Sequence, residues 1–277
     1  MNKKTKQIIM NINMSQSRFG TFKDCNLGKI GKLSYINNFQ INPIDNLCTV
    51  LVIDKHPVDI IEFLYKQYTN INPVALCNVN YEFTGYNIIE STDMNDEYYN
   101  LRTNFNISVS QNNLYPIKEN ECIYLQNITV IRDNNFTLLD LQKIFKFSML
   151  VASSISQPEL IDDKLNPINY LKLVSQIECL FQTAITFGHN TIILTPFGYD
   201  DNIPQSDIIK IYNLCIYKYG HKFKYIIFGI LNSKELYDLF NSDIVKPQLI
   251  TQPLEQQKTD FIDPKLINIF LKQMNNK

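Results

Sequence analysis

The chain has 277 residues, of which 26 are basic and 27 are acidic. This length suffices for one large α/β domain with additions, and we expect one domain rather than two. Because the charges nearly cancel, the composition is not that of a protein that binds nucleic acid or an anionic membrane, and any phosphate binding must be local.

Cysteines, histidines and hydropathy bear on the compartment and on metals. The six cysteines are scattered without a CxxC pair, which favours reduced, buried thiols in a cytoplasmic or nuclear protein. No histidine lies at metal-ligand spacing from a cysteine, so we expect neither a metal nor another cofactor. The amino terminus is too polar for a signal peptide, and no run approaches the ~20 apolar residues of a membrane span. We therefore expect an intracellular protein.

Three segments differ in their patterns. Residues 1–46 are polar, and they predict an N-terminal arm with a weak helical pattern at Ile8–Met14 and a hairpin around Lys32–Phe39. Residues 47–241 carry regular apolar runs and form the predicted domain. Residues 242–277 form a tail rich in Pro and Gln, with a predicted terminal amphipathic helix.

The domain begins with a strand, a helix and a second strand. The apolar run after Cys48 predicts a buried strand, Pro57 begins an amphipathic helix, and Pro73–Val79 predicts another buried strand. Such a βαβ unit implies a parallel sheet. A polar loop follows, and Asn95–Phe105 predicts a helix with acidic residues in its first turn.

The middle of the domain predicts further strands. Leu114–Ile131 favours two short strands joined at Gln126 and Asn127. Phe145–Ala152 is an apolar run typical of a buried strand. The segment Ser153–Pro167 that follows is a predicted loop, long enough to be a lid or an insertion.

The second half of the domain alternates helix and strand. Thr191–Thr195 is an apolar, β-branched run that predicts a strand. The loop Pro196–Asn202 then precedes a predicted helix, Pro204–Tyr219, and a further buried strand, Lys224–Leu231. Strands that are apolar on both faces lie in a sheet covered by helices, so we predict a three-layer α/β/α domain with a mixed, mainly parallel sheet. Ligands of such sheets bind at the carboxyl ends of the strands, which makes Pro196–Asn202 the first candidate site.

The loop after the second strand carries a family resemblance. Asn78 ends the strand, Gly85-Tyr86-Asn87 stands where a triple glycine would be, and Asn95-Asp96-Glu97 stands where Gln-Glu-Glu would open a helix. Together with the aromatic-Gly turn Phe197-Gly198, this layout resembles the microbial-type poly(ADP-ribose) glycohydrolases, a macrodomain-like family. The resemblance covers roughly Cys48–Leu231, in the same order.

The resemblance implies roles for individual residues. Glu97 falls on the family's catalytic acid/base, and Asp96 falls on the glutamate that holds ribose hydroxyls. A general acid must face a positioned sugar to protonate the scissile ribosyl bond. The implied ligand-binding positions are Asn78, Gly85, Tyr86, Asn87, Phe197, Gly198, Tyr199 and Asn202.

Departures from the family pattern predict weakened or lost ADP-ribose hydrolysis. Two of the three glycines that let backbone amides approach a pyrophosphate are absent. In the second loop, Asp200 and Asp201 would repel a diphosphate. The expected partner is ADP-ribose or an ADP-ribosylated protein. Two alternatives stay open: an active ADP-ribosyl glycohydrolase that uses Glu97, and a non-enzymatic protein that holds a protein partner.

Several of these residues also fit simpler structural roles. Asp96 and Glu97 are acids in the first turn of a helix, where the dipole favours them without any function. His189 follows a glycine and fits a helix end, and Asp162-Asp163 fits a solvated loop better than a metal site. The family assignment depends on the loops that follow Asn78 and Thr195 opening onto a common pocket at the same rim of the sheet.

Overall fold

A computed structural model describes residues 1–41, 48–79, 94–111, 114–198 and 202–245. Within these ranges the helices are α1 (Lys3–Arg18), α2 (Pro57–Gln67), α3 (Met94–Arg102), α4 (Phe105–Gln111), α5 (Pro167–Thr186), α6 (Gln205–Tyr219) and α7 (Lys234–Asp243). The strands are β1 (Ile30–Ser34), β2 (Thr49–Ile53), β3 (Pro73–Asn78), β4 (Glu121–Val130), β5 (Phe145–Ala152), β6 (Leu160–Ile161), β7 (Lys164–Leu165), β8 (Thr191–Leu194) and β9 (Tyr225–Gly229).

Seven strands form one mixed, mainly parallel sheet in the order β1-β4-β5-β3-β8-β9-β2. The strands β5, β3, β8, β9 and β2 pair in parallel. At the other side of the sheet, β4 pairs antiparallel with β5, and β1 pairs antiparallel with β4. The remaining strands, β6 and β7, form a separate two-stranded ribbon. The predicted class of sheet is confirmed.

Helices cover both faces of the sheet, as the alternation within β3 illustrates. Val74 and Leu76 belong to a core shared with α5, α6 and α7. Ala75 and Cys77 belong to a second core, shared with α1, α2, α3 and α4. Successive side chains of a strand point to opposite faces, so a strand that is buried on both faces must be apolar throughout. The three-layer α/β/α prediction is therefore confirmed.

Two predicted elements differ in their continuity. The two short strands predicted in Leu114–Ile131 are one strand, β4, whose register against β5 shifts between Leu125 and Ile128. A β-bulge at this point keeps the strand continuous where the sequence suggests a break. The predicted Asn95–Phe105 helix is two helices, because the hydroxyl of Thr103 bonds both to the carbonyl of Tyr99 and to the amide of Phe105.

The amino-terminal segment also differs from its prediction. The weak helical pattern belongs to the 16-residue helix α1, which Asn2 caps by accepting a hydrogen bond from the amide of Thr5. The hairpin predicted around Lys32–Phe39 is wrong, since β1 pairs with β4 of the main sheet instead. Residues assigned to an arm thus contribute an edge strand and a packed helix, while the division of the chain at residues 46 and 241 stays a prediction.

Two further points concern the predicted terminal helix and the possibility of a membrane span. The predicted terminal helix, Pro264–Met274, lies outside the described residues. Among the helices that the structure describes, none is long and apolar enough to cross a membrane.

Candidate ligand site at the carboxyl edge of the sheet

The strands that carry the predicted loops end side by side. β3 and β8 are parallel neighbours, with Ala75 opposite Ile193, and β5 lies on the other side of β3, with Ala152 opposite Asn78. Parallel strands present their carboxyl ends at the same edge of a sheet. The strands that precede the two loops therefore end at one rim of the sheet. A common pocket between the loops stays a prediction, because Gly85, Tyr86, Asn87 and Tyr199 lie outside the described residues.

Two polar side chains at this edge have atoms without a hydrogen-bond partner. Oδ1 of Asn78 and Oγ1 of Thr195 are both buried, and neither bonds to another group in the described parts of the chain. The backbone around them is fixed, since Val79 donates to the carbonyl of Ala152 at 2.9 Å and Tyr212 donates to the carbonyl of Thr195 at 2.8 Å. Each unpaired buried polar atom costs about 1–3 kcal/mol, which a ligand hydroxyl could recover.

The loop after β8 is shaped by a buried ring and a glycine. Phe197 is fully buried in the core beneath the loop, so its side chain anchors the loop from below. Gly198 has φ of +78°, and a Cβ on it would lie 2.4 Å from Cδ1 of Ile203 and 3.3 Å from Cβ of Ser154. Both constraints disfavour a side chain at Gly198. Asn202, which is exposed and has φ of +58°, ends the turn before α6.

Glu97, the predicted acid/base, is paired with a lysine from the amino-terminal helix. Its Oε2 accepts a hydrogen bond from Nζ of Lys6 on α1, and its side chain is 19% exposed. Oε2 of Glu97 thus accepts from an ammonium group, whereas a general acid must face the leaving oxygen of a bound sugar. This contact therefore opposes the role of proton donor. The side chain of Asp96 lies outside what the structure describes.

The first turns of α3 lie close to the carboxyl edge. His56, which follows β2 and caps α2, contacts Tyr98 and Tyr99 at ring-centroid distances of 4.2 and 4.8 Å. The hydroxyl of Tyr99 donates to the carbonyl of Leu76, two residues before the end of β3, at 3.0 Å. These contacts place Glu97 on the same side of the sheet as the end of β3.

The far end of α3 is fixed by a buried arginine. Arg102 is fully buried, ion-pairs with Asp59 and Glu62 of α2, and donates through Nε to the carbonyl of Arg132 at 3.2 Å. Its guanidinium also lies 5.1 Å from the ring centroid of Tyr98. Arg102 therefore holds α3 against α2 and β4, and with it the position of Glu97.

The remaining candidate, His189, lies at the opposite edge of the sheet. Its backbone amide bonds to the carbonyl of Ala184 at the end of α5, as expected for a helix end. Its ring bonds to the carbonyl of Asn72 and to the hydroxyl of Tyr124, which in turn bonds to Ser148. Burial lowers the pKa of His189 below its ordinary value, with partial opposition from the Asn72 carbonyl.

Sequence reasoning missed two features of these sites. Lys6 was not a candidate, because residues 1–46 lack a strong periodic pattern and α1 contacts α3 only through tertiary packing. The other feature is the buried series of hydrogen bonds that joins Ser148, Tyr124 and His189. Its one weak signal in the sequence is a polar residue inside an apolar strand pattern, such as Ser148 in β5. Within the described ranges, no group of three or more His, Cys, Asp or Glu side chains could hold a metal ion.

Known structures match the fold of this chain, although sequence comparisons find no related family or curated protein. No protein-family model and no curated protein matches the chain. Among solved structures, a poly(ADP-ribose) glycohydrolase from Thermomonospora curvata aligns with a TM-score of 0.67 and 12% identity, over 86% of this chain and 98% of that one. The enzyme from Deinococcus radiodurans in complex with ADP-ribose aligns with a TM-score of 0.59 and 14% identity, over 70% of this chain and 82% of that one.

These alignments agree with the resemblance read from the motifs. The match extends over nearly the whole length of the Thermomonospora protein, so it covers the arrangement of the domain rather than one βαβ unit. At such low identity, an alignment establishes the architecture and leaves the chemistry to the individual site residues. The chain has the macrodomain-like fold of the microbial poly(ADP-ribose) glycohydrolases.

Proposed function

We propose that this protein is a diverged poly(ADP-ribose) glycohydrolase-like protein that binds ADP-ribose, free or on a modified protein, and hydrolyses ribosyl bonds weakly or not at all. The single observation that carries the proposal is the ion pair between Glu97 and Lys6. It engages the one carboxylate that falls on the catalytic acid/base, on a scaffold that is otherwise that of the hydrolases.

Binding is supported by the carboxyl edge of the sheet. The unpaired oxygens of Asn78 and Thr195 stand on adjacent strands, where open α/β sheets bind their ligands. Oδ1 of Asn78 can accept a hydrogen bond from a hydroxyl group, and the Thr195 hydroxyl can donate or accept. A ribose offers hydroxyl groups that would satisfy both side chains, and a buried polar site rejects ligands that lack such groups.

Weak hydrolysis is supported by the surroundings of Glu97. A general acid must carry a proton and face the leaving oxygen of the sugar. Glu97 instead faces the ammonium of Lys6, and its side chain is largely covered. The loss of two glycines from the first predicted phosphate loop and the acidic pair in the second also weaken the grip on a diphosphate.

Release of ADP-ribose from an ADP-ribosylated protein tests the proposal. We expect the wild-type protein to release little more than the Glu97→Gln variant does. The Lys6→Met variant should release more than the wild type, because it removes the cation that engages Glu97. Lys4→Met is the matched control, since Lys4 is exposed on the same helix and its loss should leave release unchanged.

Two outcomes would overturn the proposal. Rapid release by the wild type that Glu97→Gln abolishes would establish an active ADP-ribosyl glycohydrolase. Failure of every variant to bind or release ADP-ribose would favour a non-enzymatic protein that holds a protein partner.

A further inference from the structure

A cavity lies at the opposite edge of the sheet from the candidate site. It has a volume of about 550 Å³ and is formed by the end of α1, the turn that follows it, the start of β1 and the start of α4. β1 is antiparallel to β4, which is antiparallel to β5, so β1 runs in the direction of the parallel strands. Its first residue, Ile30, therefore marks the amino edge, and the cavity is separate from the site at Asn78.

The charges that line this cavity are all positive. Arg18 and Lys23 contribute to the wall, whereas Asp and Glu are absent from the described residues that form it. Asp24 follows Lys23 in the chain but is exposed and does not line the cavity. A wall that carries two cations and no carboxylate among the described residues favours an anionic ligand.

The cavity also presents an exposed ring. Phe19 is 83% exposed, although a phenylalanine is ordinarily buried. An exposed ring beside a cavity of this volume offers a face on which a flat ligand ring can stack.

The walls of the cavity are preformed. Asn104 donates to the carbonyl of Cys25 at 3.0 Å and accepts from the amide of Thr129 at 2.9 Å. Gly28 donates to the carbonyl of Gln126 at 2.8 Å, and a Cβ on Gly28 would lie 2.6 Å from Oε1 of Gln126. A site whose backbone is already fixed loses little conformational entropy when a ligand binds.

Part of the negative charge at the helix end beside the cavity is offset. The carboxyl end of a helix carries partial negative charge on its free carbonyls. Here the carbonyls of Ser15 and Gln16 already accept hydrogen bonds from the amides of Phe19 and Gly20, at 2.9 and 3.2 Å. Arg18 adds a positive charge to the same turn.

We propose that this cavity binds a small anion in which a phosphate group lies next to a flat ring, as in a nucleoside monophosphate. The phosphate would contact Arg18 and Lys23, and the ring would stack on Phe19. This site is independent of the proposed ADP-ribose site, since the two lie at opposite edges of the sheet.

Titration with adenosine monophosphate, followed through backbone amide chemical shifts, tests the proposal. We expect saturable shifts in residues 17–28 and 104–107, with adenosine giving weaker shifts because it lacks the phosphate. Replacing both cations (Arg18→Gln with Lys23→Gln) should lower the affinity by at least about tenfold, since charge-assisted hydrogen bonds are lost. Phe19→Ala should also weaken binding, whereas Lys234→Gln, which removes an exposed lysine from α7, should not.

Two results would overturn this inference. Shifts confined to the carboxyl edge, around Asn78 and Thr195, would mean that the nucleotide binds at the candidate site alone. Shifts in residues 17–28 that the double Gln variant leaves unchanged would mean that the two cations do not recognise the phosphate. Neither result depends on whether the protein hydrolyses ribosyl bonds.

Discussion

Replacing Arg102 with methionine should destabilise the protein strongly. The guanidinium is fully buried and paired with two carboxylates of α2, Asp59 and Glu62. Removing one side of a buried ion pair costs about 3–5 kcal/mol. The side chains of Asp59 and Glu62 are 21% and 31% exposed, so water can solvate them once the arginine is gone. We therefore expect the lower end of that range, about 3 kcal/mol, or a Tm lowered by about 6–12 °C.

Thermal and denaturant unfolding of matched variants provides the assay. Lys66→Met removes a lysine that pairs with the same Glu62 but is 66% exposed, so its cost should stay below about 0.5 kcal/mol. Arg102→Lys keeps the charge without the planar fork of donors and should fall between the two. If Arg102→Met were as stable as Lys66→Met, the buried ion pairs of Arg102 would contribute no more than an exposed pair, contrary to this expectation.

Two further predictions concern stability. Burial lowers the pKa of His189, so the unfolded chain takes up a proton more readily than the folded protein. The destabilisation caused by His189→Gln should therefore shrink as the pH falls below about 6.5. A difference in unfolding free energy that stays constant with pH would contradict this expectation. Gly198→Ala should cost more than Gly188→Ala: both have positive φ, which costs about 1–2 kcal/mol, but only at Gly198 does the Cβ meet a neighbour, Ile203. Equal unfolding free energies for the two alanine variants would contradict the steric part of the argument.

The parallel sheet could be predicted because its central strands are largely buried. β3 and β8 are short, almost wholly apolar runs, and β5 is buried from Phe147 to Ala152. Such runs are typical of strands in the middle of a covered sheet. The boundaries of the helices between the strands follow from local signals, such as Pro57 at the start of α2 and Gly188 after α5. The order of the strands does not follow from these signals, because β2 lies three places from β3 in the sheet.

The amino-terminal segment could not be predicted in the same way. β1 is an edge strand with only alternate residues partly buried, so its sequence lacks a long apolar run. α1 has few buried side chains, and Asn13 fixes it through hydrogen bonds to the carbonyl of Leu101 and to Nε of Arg132. These bonds join residues that are far apart in sequence, and no local pattern encodes them.

The candidate site was predicted in part for a related reason. Asn78 and Gly198 stand at strand ends, where the fold itself directs attention. Glu97 and Lys6 are 91 positions apart in the sequence, and their pairing depends on the packing of α1 against α3. Motifs thus indicated which residue could act as the acid, while tertiary packing supplied the partner that opposes this role.

Calorimetric titration with ADP-ribose tests whether the carboxyl edge of the sheet binds this ligand. We expect saturable binding of ADP-ribose by the wild-type protein in the micromolar range. Binding should be markedly weaker in Asn78→Leu, which keeps the approximate size of the side chain but removes the unpaired oxygen. Absence of heat at millimolar ADP-ribose, or equal binding by the wild type and Asn78→Leu, would contradict binding of ADP-ribose at this edge.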